Sequence, residues 1–173
     1  MSWAMGAGSP SPVRILGLGV VAGVAGTAVM TAFQKYVEMP ITGREPSYAP
    51  ADFAQRVLPI HPRTPAGRRR LNNVTHYALG TLWGAAYGVA TWRGLRGQKA
   101  VNAVFGAVYT GDVLLNTALG LYRPTCWSTK DVVVDVVDKY VQAQATGRLF
   151  DTALDRSRSL RGSSAPSWAT TPA

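Results

Sequence analysis

Residues 15–33 read ILGLGVVAGVAGTAVMTAF, and no charged residue occurs among these 19 positions. About 20 apolar residues let a helix cross the hydrocarbon layer of a bilayer, and a helix satisfies its own backbone amides there. Gly19, Gly23, Thr27 and Thr31 recur in this stretch at intervals of four. Such a face of small residues lets two membrane helices approach closely. The stretch therefore predicts a transmembrane helix packed tightly against a neighbour.

Two later stretches have the same apolar character. Residues 74–92 contain one histidine and no Asp, Glu, Lys or Arg, and residues 100–122 contain a single charged residue, Asp112. The first of these stretches repeats the spacing of four with three glycines, Gly80, Gly84 and Gly88. We therefore predict three transmembrane helices whose small faces pack within the chain. The alternatives are packing between copies, in a homo-oligomer or a larger membrane complex, and a soluble all-α domain with buried core helices.

The first span is predicted to stay in the mature protein. A cleaved signal peptide is disfavoured because only Arg14 precedes the apolar run and the region after it offers no clean small-x-small cleavage site before Gln34. The single cysteine, Cys126, excludes an internal disulfide and a CxxC metal or redox pair. We also find no nucleophile–base pair and no metal-ligand spacing. The sequence therefore predicts no cofactor and no metal, and it does not indicate an enzyme.

A proline-rich basic loop, residues 39–70, connects the first two spans. Its prolines exclude one long helix, but residues 51–58 (ADFAQRVL) predict a short amphipathic helix at the membrane surface. The loop ends in three arginines, Arg68, Arg69 and Arg70. We interpret this run as a topology anchor or a contact for anionic lipid head groups. Nucleic acid is not expected as a partner, because no basic surface interleaved with aromatic residues accompanies the run.

Residues 126–154 predict a fourth helix. Ser128 and Asp131 have the spacing of a capping box, and Gly147 is a plausible end of the helix. Its polar residues fall on one face and its valines on another, whereas a lone strand would leave unpaired edges. Charged side chains cost about 2.5–3.5 kcal/mol each at the centre of a span. The helix therefore crosses only if its acidic face points into the bundle, and the sequence leaves this crossing open.

The predicted organisation is an all-α, polytopic membrane helix bundle in the cytoplasmic membrane of a bacterium. Residues 13–155 form this single domain, with three transmembrane helices and the amphipathic fourth, between disordered segments at 1–12 and 156–173. With three spans, 14 Lys and Arg residues lie on one side and 4 on the other, which would place the long loop inside. With four spans the counts are nearly even, at 9 or 10 against 8, and the rule sets no orientation.

Asp112 lies near the middle of the third predicted span, where a carboxylate should be neutral or paired. If the spans alternate and are centred near residues 24, 83 and 111, several polar residues lie at similar depths. The predicted polar column consists of Asp112, Asn116, Thr27, Thr31 and His76, to which a crossing fourth helix adds Asp135 and Asp138. We interpret these side chains as partners in hydrogen bonds between the helices of a structural or accessory membrane protein. The alternatives are a proton- or ion-coupled transporter or channel component centred on Asp112, and a lipid- or quinone-binding enzyme.

The run GVVAGVAGTAVMTAFQKYVEMPITGREPSYAP, with HYALGTLWGAAYGV and WSTKDVVVDVVDKYV later in the chain, resembles small multi-helix membrane proteins of actinobacteria whose function is uncharacterised. It is more distantly similar to the YagU-like inner-membrane proteins. The resemblance covers roughly residues 15–155 and implies a membrane bundle of three or four helices, but no substrate. In that family the last helix often carries an Asp followed by a Pro-His pair. Here Asp135 takes the place of that Asp, and the pair is Asp138-Lys139, which puts histidine-dependent chemistry in doubt.

Overall fold

The computed structural model describes residues 11–163, with side chains up to Arg156, and this range contains helices and turns but no strand. The α-helices are α1 (Pro12–Phe33), α2 (Met39–Thr42), α3 (Ala49–Val57), α4 (Pro65–Trp92), α5 (Gly97–Ala118) and α6 (Thr129–Ser163). A π-helical turn, Gln34–Glu38, joins α1 to α2 and makes one continuous helix over Pro12–Thr42. A 3-10 turn, Pro124–Cys126, precedes α6. The all-α prediction is confirmed.

Prolines begin several of these helices, as their fixed φ and missing N–H favour. Pro12 and Pro65 lie in the first turns of α1 and α4, and the preceding Thr64 side chain accepts a hydrogen bond from the backbone N–H of Gly67 (3.1 Å). Gly43 ends α2 with a φ of 68°, a left-handed conformation that favours glycine. The proline-rich loop thus contains helices, because Pro40, Pro50 and Pro65 fall in their first turns, while its other three prolines lie between helices.

The four long helices form an up-down bundle. α1 packs between α4 and α6, and α5 packs against α6 and α4 on the other side. Gly19 lies against Gly84 and Gly23 against Gly80, so α1 and α4 are antiparallel. Gly26 lies against Thr146, and Gln34 bonds Asp138 further along α1, so α6 is also antiparallel to α1. We call the end with residues 39–64 and 119–128 the loop end, and the opposite end the terminal end.

The prediction that the last helix ends at Gly147 is wrong. α6 is 35 residues long and continues to Ser163, about 50 Å at 1.5 Å per residue. A Cβ on Gly147 would lie 2.7 Å from the Tyr87 hydroxyl and 2.7 Å from a Val101 methyl. The glycine therefore serves close packing of α6 against α4 and α5. The tail predicted from residue 156 is helical up to 163, and residues 1–10 and 164–173 lie outside the described part.

Large side chains fill the bundle toward the terminal end. Tyr87 and Phe150 are fully buried, with ring centroids 5.4 Å apart. Phe105 stacks on Tyr109 at 5.2 Å and meets Tyr140 edge-on at 5.1 Å, which ties α5 to α6. The core is therefore aromatic between α4, α5 and α6, and is built from small residues between α1 and α4.

Among the described helices, only Pro12–Thr42 is long and apolar enough to cross a membrane by length and composition, with a mean hydropathy of 1.9. A buried core helix or a signal sequence passes the same test. The helices that contain the second and third predicted spans, α4 and α5, do not qualify, because their apolar residues alternate with glycines and threonines and with strongly polar residues, His76 in α4 and two asparagines and Asp112 in α5. Hydropathy therefore supports one span and does not support the multi-pass prediction.

Candidate functional site

Four glycines, Gly19 and Gly23 of α1 with Gly80 and Gly84 of α4, form what we call the glycine seam. A Cβ on Gly84 would collide with the backbone carbonyl oxygen of Gly19, and one on Gly23 with that of Gly80. Gly88 is less constrained, since its Cβ would lie 3.4 Å from the Ile15 carbonyl oxygen. The seam lies inside the bundle of a single chain, and it fixes the depth at which the polar residues of α1 and α4 meet.

A line of polar side chains continues along α1 from the glycine seam toward the loop end; we call Thr27, Thr31, Gln34 and Glu38 the α1 polar stripe. Thr27 is fully buried, donates to the Gly23 carbonyl (2.9 Å) and accepts from Gln142 Nε2 (2.8 Å).

The next hydroxyl of the stripe meets the predicted histidine. Thr31 donates to the Thr27 carbonyl (2.8 Å), and its oxygen lies 3.2 Å from His76 Nε2. Which group donates depends on the tautomer of His76: with the Thr31 hydroxyl proton directed to the Thr27 carbonyl, Nε2 is the donor. Thr27, Thr31 and His76, three members of the predicted polar column, thus lie together where α1 meets α4.

Two buried carboxylates lie at the loop-end part of the stripe, Glu38 of the stripe itself and Asp138 of α6. Gln34 Nε2 donates to Asp138 Oδ2 at 2.7 Å, and Thr42 Oγ1 donates to Glu38 Oε1 at 2.6 Å. Asp138 is 7% exposed and Glu38 9%. Within the described part of the chain, Asp138 Oδ1 has no hydrogen-bond partner. Asp138 was predicted as an inward-facing residue, whereas Gln34 and Glu38 were not.

Asp112 belongs to a separate group of side chains at the contact between α5 and α6, on the other side of α6 from the stripe. We call this group the ion-pair cluster; it consists of Asp112, Asn116, Asp135 and Lys139. Lys139 Nζ lies 2.7 Å from Asp112 Oδ2 and 2.9 Å from Asp135 Oδ1. Asn116 Nδ2 donates to Asp112 Oδ1 at 2.9 Å. The carboxylate that sequence left without a partner is therefore neutralised by a lysine of the next helix.

Two aromatic rings enclose the lysine of this cluster. Lys139 Nζ lies 5.1 Å from the ring centroid of Tyr109 and 5.5 Å from that of Tyr122, within the range of cation–π attraction. The ammonium group thus has an ionic or aromatic neighbour on α5, on α6 and in the connection between them. Its side chain is 17% exposed.

The single predicted polar column is divided into two. Asp112 and Asn116 face Lys139, while Thr27, Thr31 and His76 lie between α1, α4 and α6. The depth estimate placed Asp112 level with Thr27, but Asp112 lies only six residues before the end of α5 and thus toward the loop end.

Sequence reasoning missed Lys139 as the partner of Asp112. It treated the lysine only as a cost of crossing, because helical periodicity shows which residues share a face and not which face meets which helix.

The capping box at the start of α6 is present. Asp131 N donates to Ser128 Oγ (3.2 Å), and Ser128 donates from both its N–H (3.1 Å) and its hydroxyl (2.6 Å) to Asp131 Oδ2. These hydrogen bonds, the side-chain one foremost, lower the pKa of the Asp131 carboxyl from its ordinary value. At the same end, Lys130 Nζ donates to the Thr42 carbonyl (2.6 Å) and fixes the start of α6 against the end of α2.

The arginine run has divided roles. Arg68 bonds Asp52 (2.8 Å) and lies 4.7 Å from the Tyr48 ring centroid, so it holds α3 against α4. Arg69 and Arg70 are exposed and face outward at the loop end.

The short helix predicted in residues 51–58 is α3, and it docks on α4 through its alanines. Ala51 and Ala54 are buried, whereas Val57 and Leu58 are exposed. The Asn72 side chain accepts from the Ala51 backbone N–H at 3.1 Å, which fixes α3 on α4.

A second ionic contact, at the terminal end, was not predicted. Arg96 Nε lies 2.7 Å from Asp151 Oδ1 and its Nη2 2.9 Å from Asp155 Oδ1. The backbone N–H of Gly97 also donates to Asp151 (3.1 Å), and the Tyr87 hydroxyl donates to the Gly97 carbonyl (3.1 Å). These contacts hold the α4–α5 turn against the C-terminal half of α6. No sequence pattern predicted this pairing of Arg96 with Asp151, which lie 55 positions apart in the chain.

Among the described residues, no group of three or more His, Cys, Asp or Glu side chains is placed to hold a metal ion. No family model matches the sequence, and comparison with the curated proteins and with the solved structures finds no similar protein. The resemblance to the actinobacterial membrane proteins and to the YagU-like proteins therefore stays a prediction. What can be argued about function rests on the chain's own residues.

Proposed function

We propose that this chain is a four-pass membrane protein of the bacterial cytoplasmic membrane, with a structural or accessory role. The observation that carries the proposal is the distribution of side chains on α1. Its buried face consists of Gly, Ala and Thr with Ile15 and Met30, while several of its large apolar residues face outward. The exposed residues on this helix include Val20, Val21, Val24 and Val29. In water the hydrophobic effect favours burying the large residues, whereas in lipid helices associate through small ones.

The other long helices support the same environment. α4 exposes Leu82 and Trp92, and α5 exposes Leu114 and Leu115, the first 64% and the second 49%. Contiguous exposed apolar surface of this kind marks a membrane or protein contact. Each of the four helices has 22 or more residues, enough to cross a hydrocarbon layer of about 30 Å.

The charges of α6 are consistent with a fourth crossing, which hydropathy does not detect. Asp135 and Lys139 turn toward α5, and Asp138 turns toward α1, so these groups are directed into the bundle. α6 also runs antiparallel along α1 for most of its length. In a four-pass arrangement both chain ends lie on the same side of the membrane, and the nearly even Lys and Arg counts set no orientation.

A structural role is favoured over transport centred on Asp112 because the ion-pair cluster is internally satisfied. Both oxygens of Asp112 accept hydrogen bonds, one from Asn116 and one from Lys139. A carboxylate that exchanges ions or protons needs a form in which its partner is released. The short ion pairs and the enclosing aromatic rings favour a fixed bond between α5 and α6, and we propose that Asp112 serves as such a bond.

Cysteine accessibility in intact cells tests the crossing number. Cys126 is replaced by serine, and single cysteines are placed at Ser2, Ser47, Lys99 and Ser167. With a membrane-impermeant maleimide, the cysteines placed at Ser2, Lys99 and Ser167 should give the same result, either all labelled or all unlabelled. The cysteine placed at Ser47 should give the other result. Opposite labelling of Ser2 and Ser167 would show that α6 does not cross. Release of the chain from membranes by alkaline carbonate without detergent would refute membrane integration altogether.

A further inference from the structure

Asp138 is the most conspicuous buried polar group outside the ion-pair cluster. Its side chain is 93% buried; Oδ2 accepts from Gln34, and Oδ1 has no hydrogen-bond partner among the described residues. Buried polar atoms are nearly always paired, so an unpaired carboxylate oxygen calls for a specific explanation. Leaving such an atom charged and unpaired in the interior is costly.

The charges around Asp138 make full ionisation more costly still. From the π-helical turn, the buried Glu38 acts on it as a like charge, and so does Asp135 one turn earlier on α6. The cation that attracts the Asp138 carboxylate is Arg44 of the loop, which also attracts the carboxylate of Asp131. Asp135 is already paired with Lys139. From α4, the titratable group at the stripe is His76, which bonds Thr31 one turn from Gln34.

The backbone of α1 is distorted where it faces this carboxylate. Residues Gln34–Glu38 form a π-helical turn inside an otherwise α-helical run. Such turns are rare and frequently occur at functional sites. Here the turn carries Gln34 at its beginning and Glu38 at its end, so both residues that act on Asp138 from α1 depend on it.

We propose that Asp138 binds one exchangeable proton on Oδ1, with the buried Glu38 as a neighbouring like charge. A buried carboxylate that is repelled by a second one does not ionise readily, and a proton on it removes the repulsion. Binding takes the proton from solvent and lowers the negative charge of the site by one. The described residues offer no third carboxylate, histidine or cysteine to complete a metal site there, which favours a proton over a metal ion.

The site is reached from the loop end. Glu38 bonds Thr42 in the last turn of α2, next to the exposed Gly43 and Arg44. In the other direction the α1 polar stripe ends at Thr27, where the glycine seam brings the backbones of α1 and α4 into contact. The proton therefore exchanges with one side only and sets the charge at the α1–α6 contact. The site requires only the contact of α6 with the helix Pro12–Thr42, whatever the number of membrane crossings.

Infrared difference spectroscopy on the purified full chain in detergent tests the site directly. The wild type should show the C=O stretch of a protonated carboxyl group at neutral pH, and the stretch should vanish at alkaline pH. Asp138→Asn should abolish it, and Glu38→Gln should shift its disappearance to lower pH. Glu45→Gln, which changes an exposed glutamate of the same loop, is the matched control and should leave the band unchanged. A band absent at neutral pH, or unchanged in Asp138→Asn, would overturn the proposal.

Thermal unfolding gives a second readout for the same variants. If the folded state holds a proton that the unfolded chain has released, stability falls as pH rises. The wild type should lose melting temperature as pH rises above the range in which an aspartate of the unfolded chain titrates, and Asp138→Asn should remove that slope. Sodium chloride compared with choline chloride at constant pH distinguishes the ligand. A sodium-dependent rise in melting temperature that Asp138→Asn abolishes would show a cation in place of the proton and overturn the proposal.

Discussion

The glycine seam gives the sharpest test of the packing. In Gly84→Ala, the new Cβ would collide with the Gly19 carbonyl oxygen and lie 2.8 Å from the Gly23 nitrogen. Both neighbours are backbone atoms and cannot rotate away, so α1 and α4 must separate. A gap of about 0.5–1 Å already forfeits about a quarter to a half of each dispersion contact, and overpacking a core costs about 1–3 kcal/mol.

Helix propensity acts in the opposite direction. Replacing a helical glycine by alanine gains about 0.5–1 kcal/mol when space is available. Gly106 of α5 supplies the matched control, because a Cβ there would meet no described heavy atom within 4 Å. We expect Gly106→Ala to be neutral or stabilising and Gly84→Ala to destabilise by about 1–2 kcal/mol after the propensity gain.

Tryptophan fluorescence can follow unfolding of both variants in detergent, because the chain has five tryptophans and Trp83 is buried on α4 beside the seam. Gly84→Ala should be less stable than the wild type, and Gly106→Ala should be as stable or more stable. Equal stability of Gly84→Ala and Gly106→Ala would refute the close approach of α1 and α4. A stable Gly84→Ala protein that becomes dimeric would show that the small face packs between copies.

Three further outcomes follow from the ionic contacts. Lys139→Met should destabilise the fold by up to about 3–5 kcal/mol, because it leaves two carboxylates without their cation. Adding Asp112→Asn and Asp135→Asn should recover most of that loss. If the effects of the three substitutions on the free energy of unfolding were additive, the proposed interaction within the ion-pair cluster would be contradicted. Ser128→Ala should cost about 0.5–2 kcal/mol through loss of the cap of α6. The capped Asp131 has a lowered pKa. Its contribution to the free energy of unfolding is therefore present at pH values above the pKa of Asp131 in the unfolded chain, and it is lost as pH falls through the pKa of Asp131 in the folded protein. Asp131→Asn should therefore flatten the acid limb of the unfolding curve, and an unchanged limb would contradict the linkage.

Much of the fold could be predicted from the residues on α1. Its uncharged length and its small residues at intervals of four predicted a helix packed closely on another, and the structure places Gly80 and Gly84 of α4 against that face. The boundaries were less accessible. α4 begins at Pro65, nine residues before the predicted span, because its proline and the preceding Thr64 start a helix whose first turns carry the charged Arg68, Arg69 and Arg70.

The candidate site was predictable in its members more than in its connections. Asp112, Asn116 and Asp135 were singled out as inward-facing groups, and the structure brings them together. Their grouping with Thr27 failed for two reasons. Asp112 meets Lys139 on the side of α6 that faces α5, whereas Thr27 meets Gln142 on the side that faces α1. The depth estimate also gave α5 a centre near residue 111. In the structure α5 begins at Gly97, which places Asp112 in its loop-end half. Depth along a bundle depends on where each helix begins, and the apolar run alone does not specify that.

The two polar faces of α6 explain why sequence left its crossing open. A helix with Asp135, Asp138 and Lys139 in two consecutive turns is costly in lipid if those groups face outward. Here α5 offers a carboxylate to Lys139, and the π-helical turn of α1 offers an amide to Asp138. Neither partner lies on α6, so no property of its own sequence distinguishes a surface helix from a buried one. The cost of α6 is a property of the assembled bundle, which is why breaking one partner should cost more than replacing the whole cluster.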